Sequence, residues 1–481
     1  MKQHFDHHAL VSSHPFDRYA PFTNIAALKD FSDRPLRKSI RVNTLKTSVD
    51  QVKSWAAERG WQLEQVPWCP EGFFVERENR EKALGKDLLH LLGHIYLQEA
   101  ASMLPVMLLD PQPGETILDM SAAPGSKTTQ ISARMNGRGI IVANDVQEKR
   151  LWTLKAALHR SGVSNVIVTR KVGQWFAKQM TERFDRVLCD APCTAQGTSR
   201  KDSDALEFSS DDNVGKMARL QRELLESAVH AAKVGGTIVY STCTLTPEEN
   251  EQVVGAILSK FPTQLSPLPL GLAQLNALKN GMEDSLKVQR TIGTPDMTAI
   301  RLWPHVFNTE GFFAAAFVKT APTRDRTPME AVRFQEERVP RARQKDIGSI
   351  IEEMYGTSML HEGDRLFQRG DQLILSTEEV ADYPLPVQNY SLGMPMGRRL
   401  DNDRIRVDHE FIALRGMEAT KSVTTLNEEQ LGHLLDGKDT TCALELRGDI
   451  VLRYKHFVLG FGLAKDGHLK NRLPRWIVQK S

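Results

Sequence analysis

The chain carries ILDMSAAPGSKTTQ at residues 117–130, and this stretch decides the fold class. Ile117 and Leu118 belong to an apolar run typical of a buried strand, residues 121–126 are small, and a helix is expected to begin near Lys127. Small residues let a backbone approach a ligand closely, and a helix N-terminus offers unpaired N–H groups. The pattern predicts a strand, a tight loop and a helix, without the GxxxxGK[ST] spacing of a phosphate-binding loop.

Apolar strand candidates alternate with helix-length segments on both sides of this stretch. Strands are expected at residues 139–142, 166–168, 186–188 and 237–240, and helices at segments such as 149–159 and 214–233. Such alternation, with turn residues between the elements, is typical of a doubly wound parallel sheet. We therefore expect an α/β, Rossmann-like core over residues 96–320.

The flanking segments predict further domains, since 481 residues are too many for one hydrophobic core. Residues 1–95 mix a helix-like piece at 52–59 with an extended one at 72–76, which suggests an N-terminal α+β subdomain. Residues 321–345 are rich in Pro, Arg and Glu, as an exposed linker would be. Short strand-like runs at 372–375, 411–414 and 449–452 predict a small α/β or β module at 346–415 and a mainly β module at 416–481.

Composition excludes several classes of protein. A hydrophobic fraction of 41%, a charged fraction of 25% and a net charge of +2 are ordinary for a globular protein. The five cysteines are irregularly spaced, which favours free thiols in a reducing compartment over disulfides. No CxxC pair and no cluster of histidine and cysteine has zinc-ligand spacing, and the loose group His4, His7, His8 and His14 is not expected to bind a metal. No run approaches the ~18 apolar residues of a membrane span, so we expect a cytoplasmic protein.

Two cysteine dipeptides follow strand candidates. Cys193 ends CDAPC at residues 189–193, and Cys243 lies in YSTCT at residues 240–244. Adjacent parallel strands end at one edge of a sheet, so both thiols and the carboxylate of Asp190 are expected in one crevice. Either cysteine alone is more often a small buried hydrophobic residue. Their shared position instead favours attack on an electron-poor ring.

A second group of residues predicts a pocket for a nucleotide-like cofactor. The small-residue loop 121–127 follows one strand, and Asp145 ends the next. An acidic residue in that position can accept hydrogen bonds from ribose hydroxyls. A glycine loop is more often a structural turn, and a strand-end aspartate often caps a helix. The prediction therefore rests on the two features occurring together.

Together these motifs resemble the Nol1/Nop2/Sun (NSUN) family of RNA cytosine-5 methyltransferases, which use S-adenosylmethionine. The resemblance is carried by residues 119–129, 190–193 and 241–243, and also by IRVNTLK at 40–46, YLQEAAS at 96–102, RKD at 200–202, TPEENE at 246–251 and GFFA at 311–314. Segments 67–73 and 462–475 are similar to a bacterial branch of the family that acts on 16S ribosomal RNA. The resemblance spans nearly the whole chain.

The resemblance implies a role for each site residue. Cys243 is expected to add as a thiolate to C6 of cytosine, because C5 is not nucleophilic enough until that adduct forms. Asp190 is expected to bind the N3/N4 edge of the flipped base, and Cys193 to assist breakdown of the adduct. The implied cofactor-binding residues are Asp119, Ser121, Ala122, Ala123, Pro124, Gly125, Ser126, Lys127, Asp145, Arg150, Val172 and Asp190.

Two positions qualify that assignment. Lys127 is a candidate either for binding the cofactor or for steering the substrate, and the sequence does not separate the two roles. Val172 stands where relatives usually carry an acidic residue that hydrogen-bonds the adenine amino group. Because valine has no polar side chain, that hydrogen bond is not expected at this position, and weaker cofactor binding is expected.

Basic residues at both ends of the chain favour an RNA partner. The run after Val451 interleaves Tyr454, Phe457, Phe461 and Trp476 with seven basic residues, Arg453, Lys455, Lys465, Lys470, Arg472, Arg475 and Lys480. Basic and aromatic side chains together suit phosphates and unpaired bases, and the resemblance implies a PUA-like RNA-binding module here. Arg34, Arg37, Lys38 and Arg41 are also expected to line the RNA path. A solvated charged face is the alternative for both groups.

The expected function is S-adenosylmethionine-dependent methylation of C5 of a cytosine in 16S rRNA. By the resemblance, the target lies in the decoding region of the assembled small ribosomal subunit, and the enzyme is a monomer without metal or membrane attachment. A transfer RNA substrate and a non-catalytic RNA-binding ribosome-assembly factor stay open as alternatives. A DNA cytosine methyltransferase is disfavoured, because that family's nucleophile is the cysteine of the Pro-Cys dipeptide.

Overall fold

An antiparallel sheet and three helices form the N-terminal part of the chain. The computed structural model describes residues 14–78, 83–206, 210–268, 278, 282–283, 286–294, 299–326, 328–401 and 404–479. The sheet has the order β2-β3-β1-β4. Its strands are β1 (Ser39–Val42), β2 (Trp61–Gln65), β3 (Gly72–Arg77) and β4 (Ile95–Leu97), and the helices are α1 (Ile25–Ser32), α2 (Val49–Glu58) and α3 (Leu88–Leu91). The predicted helix at 52–59 and extended piece at 72–76 are confirmed.

A mainly parallel sheet forms the core, with the order β10-β12-β9-β8-β5-β6-β7 and β11 beside β12. Strands β7, β6, β5, β8 and β9 are parallel, and β12 is antiparallel to β9. The strands are β5 (Thr116–Asp119), β6 (Ile140–Asn144), β7 (Val166–Thr169), β8 (Phe184–Asp190), β9 (Ala232–Thr242), β10 (Leu265–Pro267), β11 (Ala299–Leu302) and β12 (Phe312–Lys319). The predicted doubly wound α/β core is confirmed.

Helices cover both faces of this sheet. They are α4 (Ala100–Leu109), α5 (Ser126–Arg134), α6 (Glu148–Ser161), α7 (Gln174–Gln179), α8 (Asp211–Ala231), α9 (Glu251–Lys260) and α10 (Pro304–Phe307). One apolar cluster joins the sheet to α4, α5 and α6, and another joins it to α7, α8 and α9. Strands buried on both faces read as continuous apolar runs, which is why the sequence revealed them.

The end of α8 differs from the prediction. The expected helix at 214–233 ends at Ala231, and β9 begins at the next residue, where Ala232 takes an extended conformation (φ −69°, ψ 141°). Ala232 pairs with Phe184 of β8. Ala232 and Lys233 therefore belong to the strand, although they continue the helical pattern in the sequence.

A second five-stranded sheet follows the core, with the order β13-β14-β15-β17-β18. The elements are β13 (Glu337–Arg338), α11 (Arg341–Tyr355), β14 (Asp364–Arg369), β15 (Gln372–Thr377), α12 (Glu378–Asp382), β16 (Ser391–Leu392), β17 (Met394–Arg399), β18 (Ile405–Val407) and α13 (His409–Arg415). The short strand β16 pairs with β7 and so extends the core sheet. The module is thus joined to the core by backbone hydrogen bonds.

Two predictions in this region are wrong in part. The run at 411–414 is helical, because Phe411 and Ile412 on one face of α13 pack into the module core. A short apolar run does not by itself distinguish a helix from a strand, so the sequence pattern did not show this. The expected linker 321–345 already contains β13 and the start of α11. Glu336 and Val339 within it are buried.

The C-terminal module packs on the N-terminal part. Its sheet has the order β19-β21-β22-β23-β20. The elements are β19 (Val423–Thr425), α14 (Glu428–Leu435), β20 (Thr440–Thr441), β21 (Gly448–Tyr454), β22 (Phe457–Lys465) and β23 (His468–Asn471). Phe457 lies 4.6 Å from Trp55 between ring centroids, and the two ends of the chain share one apolar cluster. Within the described residues no helix is both long and apolar enough to cross a bilayer.

Candidate active site

The two cysteine turns leave neighbouring strands of the core sheet. Strands β8 and β9 are parallel with Asp190 opposite Ser241, so both turns emerge at the same edge. The Sγ atoms of Cys193 and Cys243 lie 3.3 Å apart, and both side chains are partly exposed. The hydrogen bond to Cys243, together with burial, raises the pKa of Cys193 well above its usual value. Cys193 is therefore held as a thiol beside the second sulfur.

Asp190 lies at the same edge with both carboxylate oxygens engaged. Lys127 Nζ donates to Oδ2 at 2.7 Å, and Ser241 Oγ donates to Oδ1 at 2.6 Å. Burial lowers the pKa of Lys127, but the charge of Asp190, the hydrogen bond to it and the charge of Asp119 act together in the opposite direction, so the pKa stands above its ordinary value. The ammonium group thus stays charged and fixes the carboxylate.

A cavity of about 430 Å³ opens beside this cluster. Of the twelve predicted cofactor residues, six line it: Ser121, Ala123, Asp145, Arg150, Val172 and Asp190. Cys193 and Cys243 line it too, so the thiols and the cofactor candidates face one space. The other six do not line it: Asp119, Ala122, Pro124, Gly125, Ser126 and Lys127. Its volume lies in the ordinary range for small-molecule sites.

The small-residue loop supports the cavity wall from behind. The Ala122 amide donates to Asn144 O at 2.7 Å, which ties the loop to the end of β6. Gly125 has a φ of +108°, a conformation that favours glycine, and it directly precedes α5. A Cβ atom there would also lie 3.1 Å from the Ala157 Cβ of α6. These residues shape the loop, while Ser121 and Ala123 face the ligand space.

One carboxylate oxygen of Asp145 accepts no hydrogen bond within the described residues. Its Oδ1 accepts a hydrogen bond from the Gln147 amide at 2.9 Å. Its buried Oδ2 lies 3.3 Å from an Arg150 nitrogen but has no well-directed hydrogen bond within the described residues. An unsatisfied buried oxygen costs free energy unless a ligand donates to it. Asp145 therefore fits the predicted contact with ribose hydroxyls.

The opposite wall is less polar than the NSUN resemblance would suggest. Val172 is 56% exposed at the cavity and offers no side-chain hydrogen bond. Gln174 also lines the cavity, and its amide nitrogen donates to Glu223 at 2.9 Å. Leu220 and Leu224 of α8 complete the wall. This wall therefore offers mainly apolar surface to the cavity.

Asp119 lies beneath the site rather than in it. Its Oδ2 accepts a hydrogen bond from Thr128 at 2.7 Å, and the residue is almost fully buried. Burial raises the pKa of Asp119 to about 7. It links the end of β5 to α5 and so holds the loop from below.

The predicted RNA-binding residues divide into exposed and buried ones. Arg41 is wrong as an RNA contact: it is 1% exposed and donates to Gln98 and Thr129, each at 2.8 Å. Phe457 is buried against Trp55, and Arg453 donates to two carbonyl oxygens of its own module. The basic residues that stay exposed are Arg34, Lys38, Lys455, Lys465, Lys470, Arg472 and Arg475. Lys480 lies outside the described residues.

The other cysteines form no disulfide, and among the described residues they belong to no cluster that could bind a metal ion. Cys69 and Cys189 are buried, and burial raises the pKa of both thiols, that of Cys69 to about 12. Among the described residues no cluster of histidine, cysteine and acidic side chains could hold a metal ion. His4, His7 and His8 lie outside the described residues.

Sequence reasoning missed several residues around the thiols. Glu249 is completely buried and accepts hydrogen bonds from Thr194 and Thr246. Gln221 of α8 also donates to it. Glu249 lies in the TPEENE segment, which carried the family resemblance without suggesting a role. Gln221 lies on a helix far along the chain, and no local pattern marks it.

Family models match three parts of the chain. A model described as 16S rRNA methyltransferase RsmB/F matches residues 106–318. A model described as the N-terminal domain of 16S rRNA methyltransferase RsmF matches residues 21–100, and one described as the methyltransferase RsmF PUA domain matches residues 421–479. The matches follow the same order along the chain as the three regions described above.

Curated proteins named Ribosomal RNA small subunit methyltransferase F are similar along most of the chain. The protein from Psychromonas ingrahamii is 34% identical over 469 residues, covering 95% of this chain and 94% of its own. The protein from Enterobacter sp. is 37% identical over 454 residues, covering 93% of this chain and 90% of its own. The similarity therefore extends well beyond the core sheet.

Two solved structures share the fold over about two thirds of the chain. A methyltransferase homolog protein from Pyrococcus horikoshii is 36% identical with a TM-score of 0.53, covering 63% of this chain and 93% of its own. NSun6 from the same organism has a TM-score of 0.53 at 22% identity, covering 64% of this chain and 98% of its own. At that identity, the second likeness concerns the fold alone.

Proposed function

The chain belongs to the RsmB/F family of 16S rRNA methyltransferases, and we propose that it methylates C5 of a cytosine through a covalent bond between Cys243 and C6. The observation that carries this proposal is the 3.3 Å separation of the Cys193 and Cys243 sulfurs at the edge that also presents Asp190. A second thiol and a carboxylate beside a nucleophilic sulfur suit addition to a pyrimidine followed by elimination.

Each residue then has one task in the reaction. The Cys243 thiolate adds to C6, and the electron pair of the C5–C6 double bond moves toward C5 and the N3 edge. Asp190 binds the N3/N4 edge of the flipped base by accepting a hydrogen bond from the N4 amino group, and the Lys127 ammonium beside it compensates the negative charge that develops at N3. After C5 has gained the methyl group, a base removes the C5 proton, the double bond re-forms and the C6–sulfur bond breaks. The Cys193 thiol hydrogen-bonds the departing sulfur and stabilises it as a thiolate.

The cavity beside the thiols is the proposed cofactor site. S-adenosylmethionine supplies a methyl group bound to a positively charged sulfur, which C5 of the adduct can attack. Asp145 would accept hydrogen bonds from its ribose through Oδ2, which lies beside Arg150, and Ser121 and Ala123 would allow close approach of the loop. Val172 would contact the adenine through apolar surface alone, so we expect weaker binding than in relatives with an acidic residue there.

Substitution of the two cysteines tests the mechanism. Cys243→Ala should reduce methyl transfer to background while RNA binding survives, because only the nucleophile is lost. Cys193→Ala should leave protein covalently attached to RNA, seen as a slow band on a denaturing gel. Cys442→Ala is the matched control, since this thiol lies in the C-terminal module. Wild-type turnover by Cys243→Ala, or no slow band with Cys193→Ala, would contradict the assigned roles.

The proposed substrate is the decoding region of 16S rRNA in the assembled small subunit, bound by a monomer. The C-terminal PUA domain matched at residues 421–479 and its exposed basic side chains support an RNA partner. Bisulfite sequencing with and without the gene should show one protected cytosine lost from 16S rRNA. Loss from transfer RNA instead would favour the first alternative. No binding in an S-adenosylmethionine titration would favour a non-catalytic assembly factor.

A further inference from the structure

A buried carboxylate joins the two cysteine turns. Glu249 is fully buried, and its Oε2 accepts a hydrogen bond from the Thr194 amide at 3.0 Å. The hydroxyl of Thr194 donates to Oε1, which also accepts from Thr246 Oγ1 at 2.8 Å. Thr194 directly follows Cys193, and Thr246 lies three residues after Cys243. One side chain thus binds both turns.

Gln221 holds the other side of the Cys193 turn. Its amide nitrogen donates to Glu249 Oε2 and to the Pro192 carbonyl oxygen, both at 2.8 Å. The residues immediately before and after Cys193 are therefore both fixed by the Gln221–Glu249 pair. The main chain of Glu249 is anchored as well, because the Tyr240 hydroxyl of β9 donates to its carbonyl oxygen at 2.5 Å.

We propose that Glu249 is a positioning residue that fixes the Cys193 turn against the Cys243 turn, so that the Cys193 thiol donates a hydrogen bond to the Cys243 sulfur. This inference rests on the proposed function, in which Cys193 stabilises the departing thiolate. Within the described residues, the hydrogen-bond partners of the Glu249 side chain are neutral donors. Hydrogen bonds, and not a cation, therefore stabilise this carboxylate.

The charge of Glu249 also helps to keep Cys193 protonated. The hydrogen bond to Cys243 and burial are the larger causes that raise the pKa of Cys193, and the nearby charge of Glu249 raises it further. A neutral glutamine would lose that charge and would also turn an NH₂ group toward one of the donors that now surround the carboxylate. The first change lowers the pKa of the Cys193 thiol, and the second loosens the contact between the two sulfurs.

Glu249→Gln is the test variant, and Glu248→Gln is its matched control. Glu248 is the neighbouring acid, with a side chain 36% exposed and paired with Arg18 at 2.7 Å outside this network. We expect Glu249→Gln to lower the turnover rate by about 100-fold, the typical cost of a misplaced reacting group, with an unchanged KM for RNA. Covalent protein–RNA adduct should accumulate. Turnover and adduct equal to those of Glu248→Gln would overturn the proposal.

Alkylation of the thiols gives a readout that is independent of the methylation reaction. We expect the pH profile for iodoacetamide labelling of Cys193, followed by peptide mass spectrometry, to move to lower pH in Glu249→Gln but not in the control. An unmoved profile would contradict the proposal even if wild-type protein formed no adduct with RNA. If Glu249→Gln does not fold, Thr194→Val removes the hydroxyl that donates to Glu249 Oε1 and also contacts Thr244 and Gln196, while the Glu249 charge stays. Adduct accumulation is then expected without the pH shift, and an adduct level equal to that of Glu248→Gln would contradict the proposal.

Discussion

Asp119 and Asp190 end neighbouring strands, yet their surroundings differ. Asp190 meets the Lys127 ammonium and the Ser241 hydroxyl, so its negative charge is compensated where a base is expected to bind. Asp119 is more deeply buried and accepts a hydrogen bond from the neutral hydroxyl of Thr128. The same residue type is therefore proposed to bind substrate in one place and supports the loop in the other.

This difference makes stability depend on pH through Asp119. Burial raises its pKa from 3.8 to about 7, so the folded state holds the proton more tightly than the unfolded chain. The stabilisation is complete below about pH 4 and is lost as the pH rises through 7. Relative to Asp119→Asn, the cofactor-free wild type should lose up to about 1.4 kcal/mol of unfolding free energy per pH unit between pH 5 and 7. Urea unfolding of both proteins measures this difference, and parallel pH curves would refute it.

At the scale of the secondary-structure elements, close contacts between backbone atoms fix the position of the Cys243 turn. The Gly197 amide donates to Cys243 O at 2.9 Å, and the Gly311 amide, just before β12, donates to Gly197 O at 2.8 Å. A Cβ on Gly197 would lie 2.2 Å from Gly311 O and 2.6 Å from Cys243 O. Three separate segments therefore meet where only glycine fits.

Gly197→Ala should accordingly destabilise the protein by about 1 to 3 kcal/mol, because backbone atoms must move to admit the methyl group. The thermal midpoint measures the effect, and Gly215→Ala is the control. Gly215 lies in α8 with nothing within 4 Å of an added Cβ, so alanine should stabilise that helix by up to about 1 kcal/mol. The same sign of change in both variants would show that the close contact does not matter.

The two ends of the chain depend on each other at the scale of the whole molecule. Phe457 packs against Trp55 and His94 at centroid distances of 4.6 and 5.6 Å, and one apolar cluster contains residues of both the N-terminal sheet and the C-terminal module. The proposed RNA-binding module is therefore part of the N-terminal core. This packing fixes its orientation relative to the active site.

Phe457→Ala tests that coupling. Loss of the ring should cost about 3 to 5 kcal/mol and should increase hydrogen exchange in α2 as well as in β22, because both lose packing. Leu444→Ala is the control: this side chain is 72% exposed, and its loss should change stability by no more than about 0.5 kcal/mol. Faster exchange confined to β22 would mean that the two ends are independent.

Local sequence pattern determined the core strands, the loop before α5 and the edge at which both cysteines lie. Burial on both faces leaves apolar runs that are visible within a few residues, and parallel strands expose their carboxyl ends together. The family resemblance then assigned Cys243, Cys193 and Asp190 their roles. Those inferences needed only short segments and the order in which they follow one another.

Only the tertiary structure decided which polar side chains face the ligand space and which support it. Arg41 is buried by contacts with Gln98 and Thr129, and Glu249 meets donors from the Cys193 turn and from α8. The run at 411–414 became a helix through packing in its module, and Phe457 became a core residue through Trp55. In these cases the residue whose contact determines burial or secondary structure is distant along the chain. Local periodicity carries no information about residues that only folding brings together.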